Sequence, residues 1–228
     1  MTVKIVIDSA SDFPADLAET LGITIVPCNV HFGTEQFKDG VDITPDEFYS
    51  RLTEGSVFPK TSQPSPGDFV EIYDQFGDGA DGIVSIHVSA KLSGTYNSAI
   101  QAKSLSSAKC PIEVLDSTQG CMGIGLVAIA AARAALGGAD TAGVVEAARD
   151  AITRAQAFFL LNTLEYLERG GRIGKAKAML GSVLNIKPML IMKDGEVHEL
   201  GKARTFSKGV RRLRDIITGF APIEALCV

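Results

Sequence analysis

The stretch Val3-Lys4-Ile5-Val6-Ile7-Asp8-Ser9-Ala10-Ser11-Asp12 decides the fold. Its near-continuous apolar start reads as a short buried strand, and the acidic and hydroxyl residues that stop it read as a turn. Pro14 suits the first turn of a following helix. The same unit recurs downstream. Residues 82–88 form a β-rich run, and residues 89–95 are a polar loop opening a helix through Ala102. Residues 112–115 read as a strand ending at Asp116-Ser117-Thr118, followed by helices over 120–136 and 141–156. Strand, polar loop and helix in repeated order predict a mostly parallel α/β sheet covered on both faces.

Between the first two units, residues 23–32 form a second apolar run before the turn Gly33-Thr34-Glu35. Thr44, Pro45 and Glu47 spell a helix start with a capping box, and Phe48 and Leu52 supply its apolar stripe. Thr61-Ser62-Gln63-Pro64-Ser65-Pro66 reads as a loop fixed by two prolines, leading into a helix over 67–76.

After Ala155 the character changes. Residues 157–162 are apolar, 164–168 read as a short helix, and 169–177 as a glycine-rich basic loop. Asp194-Gly195, flanked by apolar runs, is a two-residue hairpin signal. A basic helix over 207–218 and a last strand over 223–228 complete the reading. Antiparallel pairing here predicts two domains, an N-terminal α/β domain over 1–156 and a mixed α/β domain over 157–228.

Composition excludes several classes. A formal charge of -5 over 228 residues disfavours nucleic acid, whose phosphates attract a net basic surface. Cys28, Cys110, Cys121 and Cys227 have no CxxC spacing and no histidine at ligand spacing, so no metal site is expected; scattered, they read as buried thiols of a reducing cytosol. The N-terminus turns acidic at Asp8 too early for a signal peptide. The longest apolar stretch, residues 124–136, is interrupted by Arg133 and falls short of the ~20 residues that span a bilayer, so no stable membrane insertion is expected.

Chemistry is expected in the loops beyond the strands' carboxyl ends. Ser89-Ala90-Lys91-Leu92-Ser93-Gly94-Thr95 offers hydroxyls and backbone N–H groups that suit an anion; the bland alternative is a serine N-cap. Arg169-Gly170-Gly171-Arg172-Ile173-Gly174-Lys175 is not a Walker loop, since its glycines enclose three residues and Ala176 follows the lysine. What remains is a flexible loop carrying Arg172, either a carboxylate or phosphate clamp or an exposed basic turn. No Gly-x-Ser-x-Gly elbow is present, and His31, His87 and His198 have no spacing that pairs them with Ser93. Lys208, Arg211, Arg212 and Arg214 lie beside the stripe Val210, Leu213 and Ile217, either a solvated amphipathic helix or a face for an acidic partner.

Five stretches in order resemble the DegV family: residues 7–12, Asp39-Gly40-Val41-Asp42-Ile43, Thr61-Ser62-Gln63-Pro64-Ser65-Pro66, Leu92-Ser93-Gly94-Thr95-Tyr96, and residues 164–173. The resemblance spans the chain and implies a cytoplasmic bacterial protein that holds one long-chain fatty acid between and within two α/β domains. It implies no cofactor beyond that bound acid. The family's carboxylate-holding hydroxyls fall on Thr61 and Ser93, with Gly94 in the same motif, and its pocket-mouth arginines on Arg172 and Arg204. It further implies that the chain is not itself a catalyst and presents its ligand to a separate ATP-using fatty acid kinase, which makes an acyl-phosphate for phospholipid synthesis. One departure stands out. Family members continue for several tens of residues beyond this sequence, with a further helix, a strand and a histidine near the head group, so the second domain is expected to be incomplete. Candidates for the tail's lining are Phe158, Phe159, Leu161, Met189, Ile191 and the 123–131 helix face, which core packing would explain equally well. A serine-dependent lipid hydrolase or acyltransferase using Ser93 is the alternative, and a nucleotide-binding regulatory module the third reading.

Overall fold

The computed structural model describes residues 2–181, 186–220 and 222–228. The chain divides into two compact units, Met1–Ala155 and Gln156–Val228.

The first unit is built on strands β1 (Val3–Asp8), β2 (Ile23–Val26), β6 (Gly82–His87) and β7 (Ile112–Asp116), ordered β2-β1-β6-β7 and parallel throughout. Every residue of β6 is buried, as a central strand covered on both faces requires. The period of two sorts its side chains. Val84 and Ile86 join Ile5 and Ile7 beneath helices α1 (Ala15–Leu21), α5 (Met122–Leu136) and α6 (Thr141–Arg154). Ile83 joins Val6 and Val114 beneath α3 (Pro66–Gly77) and α4 (Thr95–Leu105). On that second face the next two alternate positions of β6 are polar, Ser85 and His87, yet fully buried.

A small antiparallel sheet, ordered β4-β3-β5, is inserted between β2 and β6, from β3 (Asn29–Phe32), β4 (Glu35–Lys38) and β5 (Lys60–Ser62), with α2 (Pro45–Glu54) beside it in sequence. The apolar run over 23–32 is therefore two strands in two sheets, broken at Pro27, whose missing N–H cannot serve a ladder. Two further expectations are corrected. Glu35 opens a strand, and residues 60–62, expected as loop or left unassigned, pair with β3 in register Val30↔Thr61. The capping box is present: the Thr44 hydroxyl accepts from the Glu47 N–H at 3.3 Å, and the Glu47 carboxylate accepts from the Thr44 N–H at 2.9 Å.

The second unit has an antiparallel sheet ordered β10-β9-β8, from β8 (Phe158–Leu160), β9 (Lys187–Lys193) and β10 (Glu196–Ala203). Asp194 and Gly195 take φ of 52° and 78°, the left-handed pair that a tight primed hairpin turn demands. Helix α7 (Glu165–Arg169) lies between β8 and β9 in sequence, and α8 (Phe206–Thr218) follows β10. On α8, Lys208, Arg211, Arg212 and Arg214 are exposed, while Leu213, Ile216 and Ile217 are half-buried. The strand expected over 223–228 is absent: those residues are exposed and have no strand partner among the described residues. The expectation of buried thiols is corrected as well, since Cys121 and Cys227 are exposed and Cys28 and Cys110 half-buried. No helix among the described residues is long and apolar enough to cross a membrane.

Candidate functional site

The strand order places a topological switch point between β1 and β6: the chain leaves β1 towards β2 on one side and leaves β6 towards β7 on the other. Loops diverging at such a point leave a crevice, the usual ligand position in open parallel sheets. Three loops meet there, after β1, β6 and β7.

Two carboxylates stitch them together. Asp8 ends β1; its Oδ1 accepts from the Ala10 N–H at 3.1 Å and its Oδ2 from the Val88 N–H at 3.0 Å. Asp116 ends β7; its Oδ1 accepts from the Thr118 N–H at 2.8 Å and its Oδ2 from the Ala90 N–H at 3.3 Å. Backbone bonds add to the stitching: Ser89 N–H donates to Gln119 O and Cys121 N–H to Ala10 O. The 89–94 loop, which carries Ser93, is thereby tied from both flanking strands. Non-glycine residues with left-handed φ concentrate in these loops, at Asp12 (52°), Thr118 (54°) and Cys121 (50°). Ser11 Oγ and Gln119 Oε1 are buried there with no hydrogen-bond partner among the described residues. Strained backbone and unsatisfied polar atoms gather where a structure is shaped for something other than stability.

Beneath the loops lies a polar chain. The Tyr73 hydroxyl donates to Ser85 Oγ at 2.8 Å, Ser85 Oγ meets His87 Nε2 at 2.7 Å, and His87 Nδ1 meets Asp8 Oδ2 at 3.0 Å. His87 thus stands at the centre of the chain, with Ser85 on one ring nitrogen and the Asp8 carboxylate on the other. The residue types match a Ser-His-Asp relay, but all four are fully buried. Ser85 has no route to a substrate carbonyl, so the relay is an internal truss. Sequence reasoning passed over it; the signal was Ser85 and His87 at i and i+2 interrupting an apolar central strand.

Of the sequence-derived site residues, Thr61, Ser93 and Gly94 belong to the first unit. Thr61 is exposed on β5. Ser93 is half-buried, its Oγ 2.8 Å from Thr95 Oγ1 and accepting from the Thr95 N–H at 3.3 Å. Gly94 precedes α4 as its N-cap, and Ser93, one residue earlier, accepts from the first N–H of that helix. The two segments touch: a Cβ built on Gly94 would stand 2.9 Å from Gln63 Nε2. Two shallow surface depressions lie elsewhere on this unit, over α6 and beside Tyr96 and β7, and neither is lined by Thr61, Ser93 or Gly94.

Arg172 and Arg204 stand in the second unit, both exposed. Arg172 folds back on its own loop, its Nη1 donating to Gly170 O at 2.7 Å. Arg204 lies between β10 and Thr205, the N-cap of α8. The tail-lining candidates are divided. Met189 is fully buried and Phe158 and Phe159 are half-buried, whereas Ile124, Val127, Ala128 and Ala131 of α5 are buried in the first unit's core. No cluster of metal-ligating side chains occurs among the described residues.

A parallel α/β unit with hydroxyl-rich loops at its switch point, followed by a small antiparallel α/β unit, places the chain in the α/β class. Comparison with known proteins gives the family: residues 2–224 match the one described as "Uncharacterised protein, DegV family", and the chain belongs to it. A DegV domain-containing protein of Caldanaerobacter subterraneus is 38% identical over 213 residues, 93% of this chain and 75% of the relative. One from Streptomyces coelicolor is 39% identical over 97% of this chain and 79% of its own length. Among solved structures, a DegV family protein from Thermus thermophilus, described as fatty acid binding, superposes with a TM-score of 0.89 at 36% identity, covering 97% of this chain and 79% of that one. A stearic acid-binding protein from Eubacterium ventriosum superposes with a TM-score of 0.84 at 33% identity, covering 96% and 76%.

Proposed function

We propose that this chain binds one long-chain fatty acid, with Thr61, Ser93 and the Gly94 backbone meeting its carboxylate. The single observation that carries this reading is the close approach of Gln63, two residues after Thr61, to Gly94, the residue after Ser93, which brings the two hydroxyl-bearing segments side by side. Family members described as fatty-acid-binding support it.

The energetics fit an amphiphile. A tail of about 15 methylenes gains roughly 12 kcal/mol gross on leaving water, and association costs consume several kcal/mol of it. A carboxylate taken out of water without partners is strongly unfavourable, so the head group needs donors, which hydroxyls and a backbone N–H can provide.

The same reading makes the chain a carrier without chemistry of its own, acting in the cytoplasm. A partner fatty acid kinase would bring ATP; the carboxylate oxygen attacks the γ-phosphorus, ADP leaves, and the acyl-phosphate is the product. No observation favours the hydrolase alternative. His87 is consumed by Asp8 and Ser85, His31 bonds Ser62 at 3.0 Å, and the Ser93 hydroxyl is engaged with Thr95.

Denaturing the purified protein and analysing released lipid by mass spectrometry tests the proposal. One acyl chain per protein, with no turnover of ester substrates, is the expected result. Absence of lipid together with failure to take up added oleate would overturn it.

A further inference from the structure

Gln63 stands out on the rim because its backbone is held and its side chain is not. Its carbonyl accepts from Asn29 Nδ2 at 3.2 Å, and Asn29 is itself held by Gln36 Nε2 at 3.1 Å. Ser62 next to it bonds His31. The residue is exposed and its terminal amide, by contrast, has no hydrogen-bond partner among the described residues. It lies on Gly94: the position of a Cβ there is 2.9 Å from Nε2, 3.1 Å from Cδ and 3.5 Å from Oε1. Any side chain at 94 would displace the amide, so glycine at this position leaves the space that Gln63 fills.

We infer that Gln63 is a specificity-determining residue of the ligand site: its amide N–H donates to the anionic head group between Thr61 and Ser93, and Gly94 exists to let it reach there. The inference rests on the fatty acid reading of that site. Its physical basis is the chemistry of a neutral donor. An amide can serve a carboxylate as well as the hydroxyls beside it, without the desolvation that a second cation would impose. Replacing it with a carboxylate puts two like charges together, which disfavours an anionic ligand and leaves an uncharged one nearly unaffected.

The test uses the delipidated full chain and two probes of equal tail, oleate and oleyl alcohol, titrated by calorimetry. Q63A is expected to weaken oleate roughly tenfold, the scale of one hydrogen bond to a charged group. Q63E should weaken oleate further while leaving oleyl alcohol within about twofold, as a local charge effect requires. G94A should weaken oleate because it pushes the amide aside, and Q63A/G94A should bind no worse than Q63A alone, since coupled changes do not add. Gln63 is exposed, so Q63A and Q63E should fold, and circular dichroism checks this for every variant, G94A included. Oleate affinity unchanged in Q63E, or losses from Q63A and G94A that multiply, would overturn the assignment while the parent protein still binds oleate. A parent that binds neither probe overturns the assignment and the fatty acid reading together.

Discussion

Two polar clusters of the first unit use nearly the same side-chain chemistry to opposite ends. In the truss of Tyr73, Ser85, His87 and Asp8, every hydroxyl, ring nitrogen and carboxylate oxygen is matched and the side chains are fully buried. On the rim, Thr61 and Gln63 are exposed, Ser93 and Gly94 half-buried, and the Gln63 amide is unmatched. Residue identity therefore does not locate function here. A Ser-His-Asp set that has spent all its hydrogen bonds internally holds loops in place, whereas loosely engaged donors beside those loops remain available to a ligand. The two are linked, because Asp8 binds the Val88 N–H at the root of the loop that ends in Ser93.

The largest effect expected is at Asp8. Removing the Asp8 carboxylate leaves the Ala10 and Val88 N–H groups and His87 Nδ1 without their partner, at about 1–3 kcal/mol for each buried donor left unsatisfied. Asp8→Ala should lower the urea midpoint accordingly with little change in slope. Stability equal to the parent's would break the contrast at its root, since the truss would then support nothing.

Next comes the rim. Thr61→Ala with Ser93→Ala removes half-buried and exposed hydroxyls, so folding stability should move by no more than about 0.5 kcal/mol per site. Oleate affinity should nevertheless fall roughly 100-fold, about 2.7 kcal/mol, for two hydrogen bonds to a charged head group. A variant that loses stability but keeps its affinity would exchange the roles assigned to the two clusters.

The sequence already carried much of this division, though unevenly. Strands β1, β6 and β7 were legible because burial on both faces forces apolar runs, and the helix at Pro45 because Thr44 and Glu47 complete a capping box. Strands β4 and β5 were not. Glu35-Gln36-Phe37-Lys38 has no apolar alternation because it is an exposed edge, and Lys60-Thr61-Ser62 is three polar residues whose strand character comes only from pairing with β3. Local pattern cannot report a partner 30 residues away. Residues 223–228 illustrate the converse: their composition suits a strand, and they have no strand partner among the described residues. For the site, Thr61, Ser93 and Gly94 came from motif resemblance. The bond between Asp8 and His87, 79 positions apart, is visible only in the fold.

Tyr73→Phe gives the smallest and most discriminating change. It deletes one donor from Ser85 while keeping the ring's packing against Phe69, so at neutral pH the loss should be about 1 kcal/mol, that of a single neutral hydrogen bond. Its pH dependence carries more information than its size. Burial pushes the Tyr73 phenol well above its ordinary value of 10.0, with the Ser85 bond pulling modestly the other way. The folded state thus keeps a proton that the unfolded chain begins to release near pH 10. Stability attached to this group is fully present below that pH and declines as pH rises beyond it. Cys28, pushed up to about 12 by burial and then by the Asp8 charge, acts in the same direction from its ordinary 9.0 upward, so the parent should already weaken slightly before Tyr73 contributes. Urea midpoints measured from pH 8 to 11 should converge for parent and Y73F as the parent's extra alkaline loss sets in above pH 10. Parallel curves over that range would mean that the hydroxyl is solvated in the folded protein, and that the truss is open to water at its tyrosine end.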